Sequence, residues 1–263
     1  MTNTINLSDL NGSNGFVLNG IDTGDRSGYS VSSAGDVNGD GFDDIIIGAD
    51  RADPNGNGAA GESYVVFGKS GGFDPSLNLS ALDGSNGFIL NGIDASDYSG
   101  RSVSSAGDVN GDGFDDLIIG AFGADPNSES YAGESYVVFG KSGGFDPSLN
   151  LLDLNGSNGF VINGIDAVEF SGRSVSSAGD VNGDGFDDLI IGAYRADYTG
   201  ESYVVFGKSG GFLPSLELSS LDGNNGFIIN GINASDSSGR SVSSAGDVNG
   251  DGFDDLIDRK SVV

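Results

Sequence analysis

The chain has 263 residues, 47 of them glycine, with neither cysteine nor histidine and a formal net charge of −28. Lacking thiolate and imidazole, it is excluded from zinc binding, disulfide scaffolding, cysteine nucleophiles and Ser-His-Asp catalysis. Its acidity argues against nucleic acid and anionic membrane surfaces, and no stretch approaches the roughly 20 apolar residues of a membrane helix.

Taken in order, Met1 to Leu10 lacks a basic start and an apolar run, so no signal peptide is read there. A strand is predicted over residues 16–21. Four more short strands follow, over 30–34, 44–49, 63–68 and 88–93. The first, Ser30 to Ala34, is small and polar around Val31, whereas the second carries the apolar run Ile45-Ile46-Ile47 of a strand buried on both faces. A connector with Phe73-Asp74-Pro75, Leu77, Leu79 and Leu82 leads to the fourth strand, which Asn86-Gly87 and Asn91-Gly92 bracket as turn signals. No window carries helical periodicity.

The series then repeats. Asp36, Asp108, Asp180 and Asp247 are separated by 72, 72 and 67 residues, and the shortening is confined to the segment before Gly200, which therefore reads as a surface loop. Four short antiparallel strands per period predict an all-β, β-propeller-like array, with blades at about 27–93, 99–165 and 171–232. An incomplete fourth blade, 238–257, is read together with the N-terminal strand 16–21. Innermost strands converge on the axis, which explains Ser-Val-Ser-Ser-Ala-Gly. One blade cannot bury both of its faces alone, so the repeats must stack. The end departs in kind, because Asp258-Arg259-Lys260 stands where earlier copies continue a buried strand. The chain is accordingly expected to be a piece of a longer repeat protein.

Between the first and second strands of every period lies an acidic loop, Asp-Val-Asn-Gly-Asp-Gly-Phe-Asp-Asp. In the first copy Asp36, Asn38, Asp40 and Asp44 place oxygens at positions 1, 3, 5 and 9, Gly41 permits a sharp reversal, and Phe42 offers its carbonyl. All-oxygen ligation with several carboxylates suits a hard cation, Ca²⁺ better than Mg²⁺. A plain hairpin turn would need no carboxylates at fixed spacing. An EF-hand would need a carboxylate at position 12, where Ile47, Ile119 and Ile191 stand and only Asp258 departs. The nonapeptide calcium roll is excluded by the long period.

The unit from Ser99 to Ala121 resembles an FG-GAP repeat, the blade repeat of integrin alpha-chain propellers. The resemblance extends over nearly the whole chain. It implies up to four Ca²⁺ ions, the first held by Asp36, Asn38, Asp40, the Phe42 carbonyl and Asp44. The equivalent sets are Asp108, Asn110, Asp112, Phe114 and Asp116; Asp180, Asn182, Asp184, Phe186 and Asp188; and Asp247, Asn249, Asp251, Phe253 and Asp255. It departs from the family at Ser27, Ser99, Ser171 and Ser238, where the family has Phe, and at Asp50, Phe122 and Tyr194, where it has Pro.

The implied function is non-enzymatic: a calcium-stapled module for cell adhesion or extracellular recognition, acting at or outside the cell surface on a protein or glycan ligand. There is no nucleic-acid partner and no membrane insertion in this reading, and any export signal lies elsewhere. The alternative is a carbohydrate-binding or accessory domain of a larger secreted enzyme. No unique carboxylate pair suggests glycosidase chemistry, since Glu62, Glu134 and Glu201 recur in register and read as structural. Arg101, Arg173 and Arg240 also recur, with Tyr29 at their position in the first copy, and are expected to pair with Asp across blades. Phe122, Phe170 and Tyr194 vary between repeats and are the candidates for partner contacts.

Overall fold

The structure is a computed structural model that describes residues 4–259. Apolar runs cut by glycine and asparagine turns leave room only for short extended segments. They are β1 (Val17–Asn19), β2 (Ser30–Gly35), β3 (Asp44–Ala49), β4 (Glu62–Val66), β5 (Ser76–Asn78) and β6 (Gly87–Asn91). The series recurs as β7 (Ser102–Gly107), β8 (Asp116–Ala121), β9 (Glu134–Val138), β10 (Ser148–Asn150) and β11 (Gly159–Asn163). Then come β12 (Ser174–Gly179), β13 (Asp188–Ala193), β14 (Glu201–Val205), β15 (Ser215–Glu217) and β16 (Gly226–Asn230), and finally β17 (Val242–Gly246) and β18 (Asp255–Asp258). Among the described residues there is no α-helix, only short 3-10 turns.

The strands β2-β3-β4-β6 pair antiparallel in that order, as do β7-β8-β9-β11 and β12-β13-β14-β16. These are the four-stranded blades. The third and fourth strands begin a residue earlier than the apolar pattern indicates, because Glu62 still pairs with Ala49 and Gly87 with Val66. The inner strands β2, β7, β12 and β17 lie side by side. Ser30 Oγ donates to the Gly100 carbonyl at 2.8 Å and Ser174 Oγ to the Gly239 carbonyl at 2.9 Å. A larger side chain at these serines would hold the blades apart.

Period-2 alternation sends successive residues of one strand to opposite blade faces. Ile46, Val65, Phe88 and Leu90 of the first blade meet Leu117, Ile119, Tyr136 and Val138 of the second. The other face of the second blade, with Ile118, Val137, Phe160 and Ile162, meets Leu189, Ile191, Tyr203 and Val205 of the third. Each such buried side chain is worth about 1.5–3 kcal/mol, so the blade stack is where stability resides. The sheets of the described residues do not close into a ring. Val31 is 67% exposed, whereas Val103 and Val175, its equivalents in the next two blades, are 6% and 5% exposed.

Two features differ from the sequence pattern. The connectors hold a further strand: β5, β10 and β15 run parallel to β1, β6 and β11, sealing the outer edge of the preceding repeat. Three residues are too few to show alternation, and their partner lies one repeat back. On the same seam Phe73, Phe145 and Phe212 stack on Phe16, Phe88 and Phe160 with ring centroids 4.1, 4.3 and 4.3 Å apart. The N-terminal β1 accordingly pairs with β5, while β17 and β18 form a two-stranded sheet of their own.

Asp258 ends β18, and its carboxylate accepts hydrogen bonds from Ser202 Oγ at 3.0 Å, from Ser238 Oγ and from the Gly239 amide at 2.7 Å. The equivalent hydroxyls of Ser63, Ser99, Ser135 and Ser171 are buried without a partner among the described residues. A charge is tolerated at this strand position because two waiting hydroxyls and an amide solvate it. Lys260 lies outside the described residues.

Candidate metal centres

Each acidic loop closes the hairpin between the first two strands of its blade, beyond a bulge at Ser33/Gly35 and its equivalents. The first carboxylate of each loop organises the turn. Asp108 Oδ1 accepts the amides of Gly111 (2.7 Å) and Asp112 (3.1 Å), and its Oδ2 accepts that of Gly113 (2.9 Å). Asn110 Oδ1 accepts the Asp112 amide at 2.8 Å, and Asp112 Oδ1 that of Phe114 at 3.1 Å. The same web surrounds Asp36, Asn38 and Asp40, Asp180, Asn182 and Asp184, and Asp247, Asn249 and Asp251. In the fourth loop these amides, that of Gly252 foremost, hold the Asp247 carboxyl below its usual range. Inward-facing amides favour the ionised form of that carboxyl, and in every loop they gather the side-chain oxygens of positions 1, 3 and 5 into one turn.

Position 9 is placed differently. Asp44 is buried, with Oδ1 accepting the Gly68 amide at 2.8 Å and Oδ2 the Val37 amide at 3.1 Å. Asp116 and Asp188 repeat this clamp between loop and third strand. In the last loop Asp255 Oδ2 accepts the Val248 amide at 2.9 Å. Burial pushes Asp44 up to about 6, Asp116 to about 8 and Asp188 to about 7, and the fields of the carboxylates at positions 5 and 1 of each loop add to the rise.

As the side chains lie, no three acidic groups among the described residues converge into an assembled metal cage. The donor set nevertheless fits a hard cation. Carboxylate and amide oxygens at positions 1, 3 and 5 share one turn, and the buried carboxylate at position 9 lies under the negative field of two of them. Asp36, Asn38, Asp40, the Phe42 carbonyl and Asp44, with their three sets of equivalents, are the residues that would hold the ion. A divalent cation supplies the compact positive charge this arrangement lacks.

The loops also hold one another, through residues to which the motif gives no role. Asp115, at position 8 of the second loop, accepts the Asp36 amide of the first at 2.8 Å. Asp187 does so for Asp108 at 2.8 Å, and Asp254 for Asp180 at 2.9 Å. The return bond runs from the Asp115 amide to the Asp36 carbonyl at 3.3 Å. The ring of Phe114 lies over Gly39 of the preceding loop, where a Cβ would stand 2.3 Å from Phe114 Cε1. Phe186 over Gly111 and Phe253 over Gly183 repeat the contact. The signal in the sequence was the third Asp of every loop, at position 8, which a five-ligand scheme leaves unemployed.

The opposite ends of the strands carry arginine and aromatic residues. Arg101 pairs with Asp50 of the preceding blade, Nη1 to Oδ2 at 2.8 Å. Arg173 and Arg240 do not follow it. Their guanidinium carbons stand 5.6 Å from the ring centroids of Phe122 and Tyr194, which occupy the position of Asp50 in the later blades. Phe122, Phe170 and Tyr194 pack together, with centroids 5.8 Å apart in each successive pair. Glu62, Glu134 and Glu201 accept the hydroxyl protons of the core tyrosines Tyr64, Tyr136 and Tyr203, a structural role.

Comparison with known proteins agrees with this architecture. The family model described as FG-GAP repeat matches residues 27–66, 99–138 and 171–205. Integrin alpha-5 of Xenopus laevis is 34% identical over 179 residues, covering 65% of this chain and 15% of its own length. Integrin alpha pat-2 of Caenorhabditis elegans is 30% identical over 244 residues, 88% of this chain and 18% of its own. Phosphatidylinositol-glycan-specific phospholipase D of Bos taurus is 32% identical over 190 residues, 68% of this chain and 21% of its own. The chain thus spans about a fifth or less of the length of these relatives.

Proposed function

The chain is an FG-GAP repeat protein, and from that premise we propose that it is a non-enzymatic recognition module, working outside the cell or at its surface, whose blades are stapled by Ca²⁺. The observation that carries this reading is the fourfold loop: the same oxygens at the same spacing, already gathered by backbone amides, each at the same edge of its blade. In this reading the acidic loops are structural and the ligand, a protein, is bound elsewhere. The integrin alpha relatives favour adhesion as the setting. No helix of the described residues is long and apolar enough to cross a membrane.

The staple follows from linkage. The loop is unformed in the unfolded chain, so binding energy becomes folding energy. At free Ca²⁺ ten times the dissociation constant, each site adds about 1.4 kcal/mol, so that four sites rival the whole stability of an ordinary domain. Thermal melts in Ca²⁺ and in EGTA test it: chelation lowers the midpoint, Ca²⁺ restores it and Mg²⁺ restores it poorly. A midpoint indifferent to EGTA sinks the staple.

A second reading is supported by the phospholipase D relative, of which this chain covers only part. The module then serves as an accessory domain of a larger secreted enzyme and binds carbohydrate. A glycan array probed in Ca²⁺ separates the two, since a protein-binding module leaves it blank.

A further inference from the structure

At the end of the blades opposite the acidic loops, one position recurs within two residues of the start of each inner strand: Tyr29, Arg101, Arg173, Arg240. Against it lies the residue that follows the second strand of the preceding blade: Asp50, Phe122, Tyr194. Only the first of these is a carboxylate. Arg101 is neutralised by Asp50 and stacked 4.0 Å from the centroid of Tyr29, yet its Nε is buried without an acceptor. Arg173 and Arg240 rest on aromatic faces, which tolerate the charge but accept none of the in-plane N–H groups. Among the described residues neither is in an ion pair. Arg173 is half-buried, and the charges of Arg101 and Arg240 both reach it. From the first interface to the third, the counter-ion disappears while the guanidinium stays.

We propose that Arg101, Arg173 and Arg240 form a binding site for a carboxylate presented by an acidic side chain of a protein partner. The planar guanidinium fork matches a carboxylate bidentately, and an anion here relieves the mutual repulsion of the arginines. The net charge of −28 does not oppose this, because at physiological salt charges beyond about 8 Å are screened. What the site meets nearby is an aromatic belt of Tyr98, Phe122, Phe170 and Tyr194. Two clefts at this end are lined by carboxylates, one by Asp94, Asp97 and Asp125 and the other by Asp166, Glu169 and Asp197. Those acids repel polyanions and favour a single carboxylate flanked by neutral or basic groups. The second of these clefts, where Tyr194, Arg195, Tyr198 and Ser237 lie with those acids beside Arg240, gives room for neutral or basic flanking chain.

The proposal rests on the recognition reading but not on the calcium staple, so an EGTA-indifferent melt leaves it standing. The test is arginine ¹H–¹⁵Nε NMR of the full chain in Ca²⁺, titrated with N-acetyl-aspartyl amide, with acetate, and with chloride at matched ionic strength. The resonances of Arg173 and Arg240 are expected to shift saturably with the aspartyl compound, more weakly with acetate and not with chloride. Arg173→Gln, with unchanged backbone spectra, weakens binding at least tenfold; Arg173→Lys, which keeps the charge but loses the fork, weakens it less. Equal shifts with chloride, no saturation, or undiminished binding by both variants overturn the site. Acetate binding as tightly as the aspartyl compound overturns the protein source.

Discussion

Asp115→Ala isolates the coupling between neighbouring loops. The substitution removes the acceptor of the Asp36 amide, 2.8 Å away in the preceding blade, while leaving all five positions of its own loop motif in place. A hydrogen bond to a charged group contributes about 1.5–3 kcal/mol. Because this pair is only part-buried, water replaces some of the loss, and about 1.5 kcal/mol is the expected cost. For a chain of this size that lowers the thermal midpoint by roughly 3–6 °C. Asp43→Ala is the internal control: it removes the same residue from the first loop, where no preceding loop among the described residues is clamped, and belongs within about 0.5 kcal/mol of the parent. Urea melts of both variants with Ca²⁺ present, and Ca²⁺ titrations of each, supply the comparison. Equal destabilisation by the two changes would refute the clamp, because the loss would then belong to the loop that carries the residue. So would an Asp115→Asn variant as weak as Asp115→Ala, since the amide oxygen can still accept.

Glycines within one loop separate by the same logic. Gly111→Ala places a Cβ 2.3 Å from Phe186 Cε1 at φ +74°, whereas at Gly113, φ +89°, a Cβ meets nothing within 4 Å. Backbone strain of about 1 kcal/mol is common to both, and the first adds a clash with the inter-blade ring, so Gly111→Ala unfolds at the lower urea concentration. Asp97 supplies a pH dependence: burial, with the fields of Glu134, Asp94 and Asp125, raises its pKa to about 7. A raised carboxyl stabilises the fold fully below the unfolded value and loses that contribution as pH climbs towards 7. Asp97→Asn is therefore expected to gain on the order of 1–2 kcal/mol over the parent at pH 8 and nothing at pH 4, read from urea midpoints across that range. Tyr136→Phe strips the hydroxyl from half-buried Glu134 and is expected to cost about 1–3 kcal/mol in the same assay.

Much of this architecture is legible in the residues. The run Ile45-Ile46-Ile47 and the small inner strand Ser30–Gly35 each carry their own burial pattern, so strand type and blade position follow from composition and alternation. The turn within each loop is legible for the same reason, since the side-chain oxygens at positions 1, 3 and 5 accept amides only a few residues away. What escapes is whatever depends on a partner one repeat away. Ser76–Asn78 is too short to alternate, and its ladder lies on β1. Asp115 looks like a spare acid until the neighbouring loop is in place. The arginines divide between ion pair and aromatic face according to a residue about 50 positions earlier, Asp50, Phe122 or Tyr194.

The parallel strand at the edge of each blade has a consequence for how the chain emerges from synthesis. A blade's outer edge is sealed by the connector of the following repeat, and its acidic loop is clamped by the Asp and Phe of that same repeat. Chains are made from the N-terminus at about 5–20 residues per second. A finished blade therefore waits several seconds, with one unpaired strand edge and one loose loop, for the next repeat to arrive. Open edges are where chains pair wrongly, and consecutive repeats this alike offer each other near-perfect wrong partners. Folding in such an array is a relay in which every unit is completed by its successor, and the hazard travels with the newest blade.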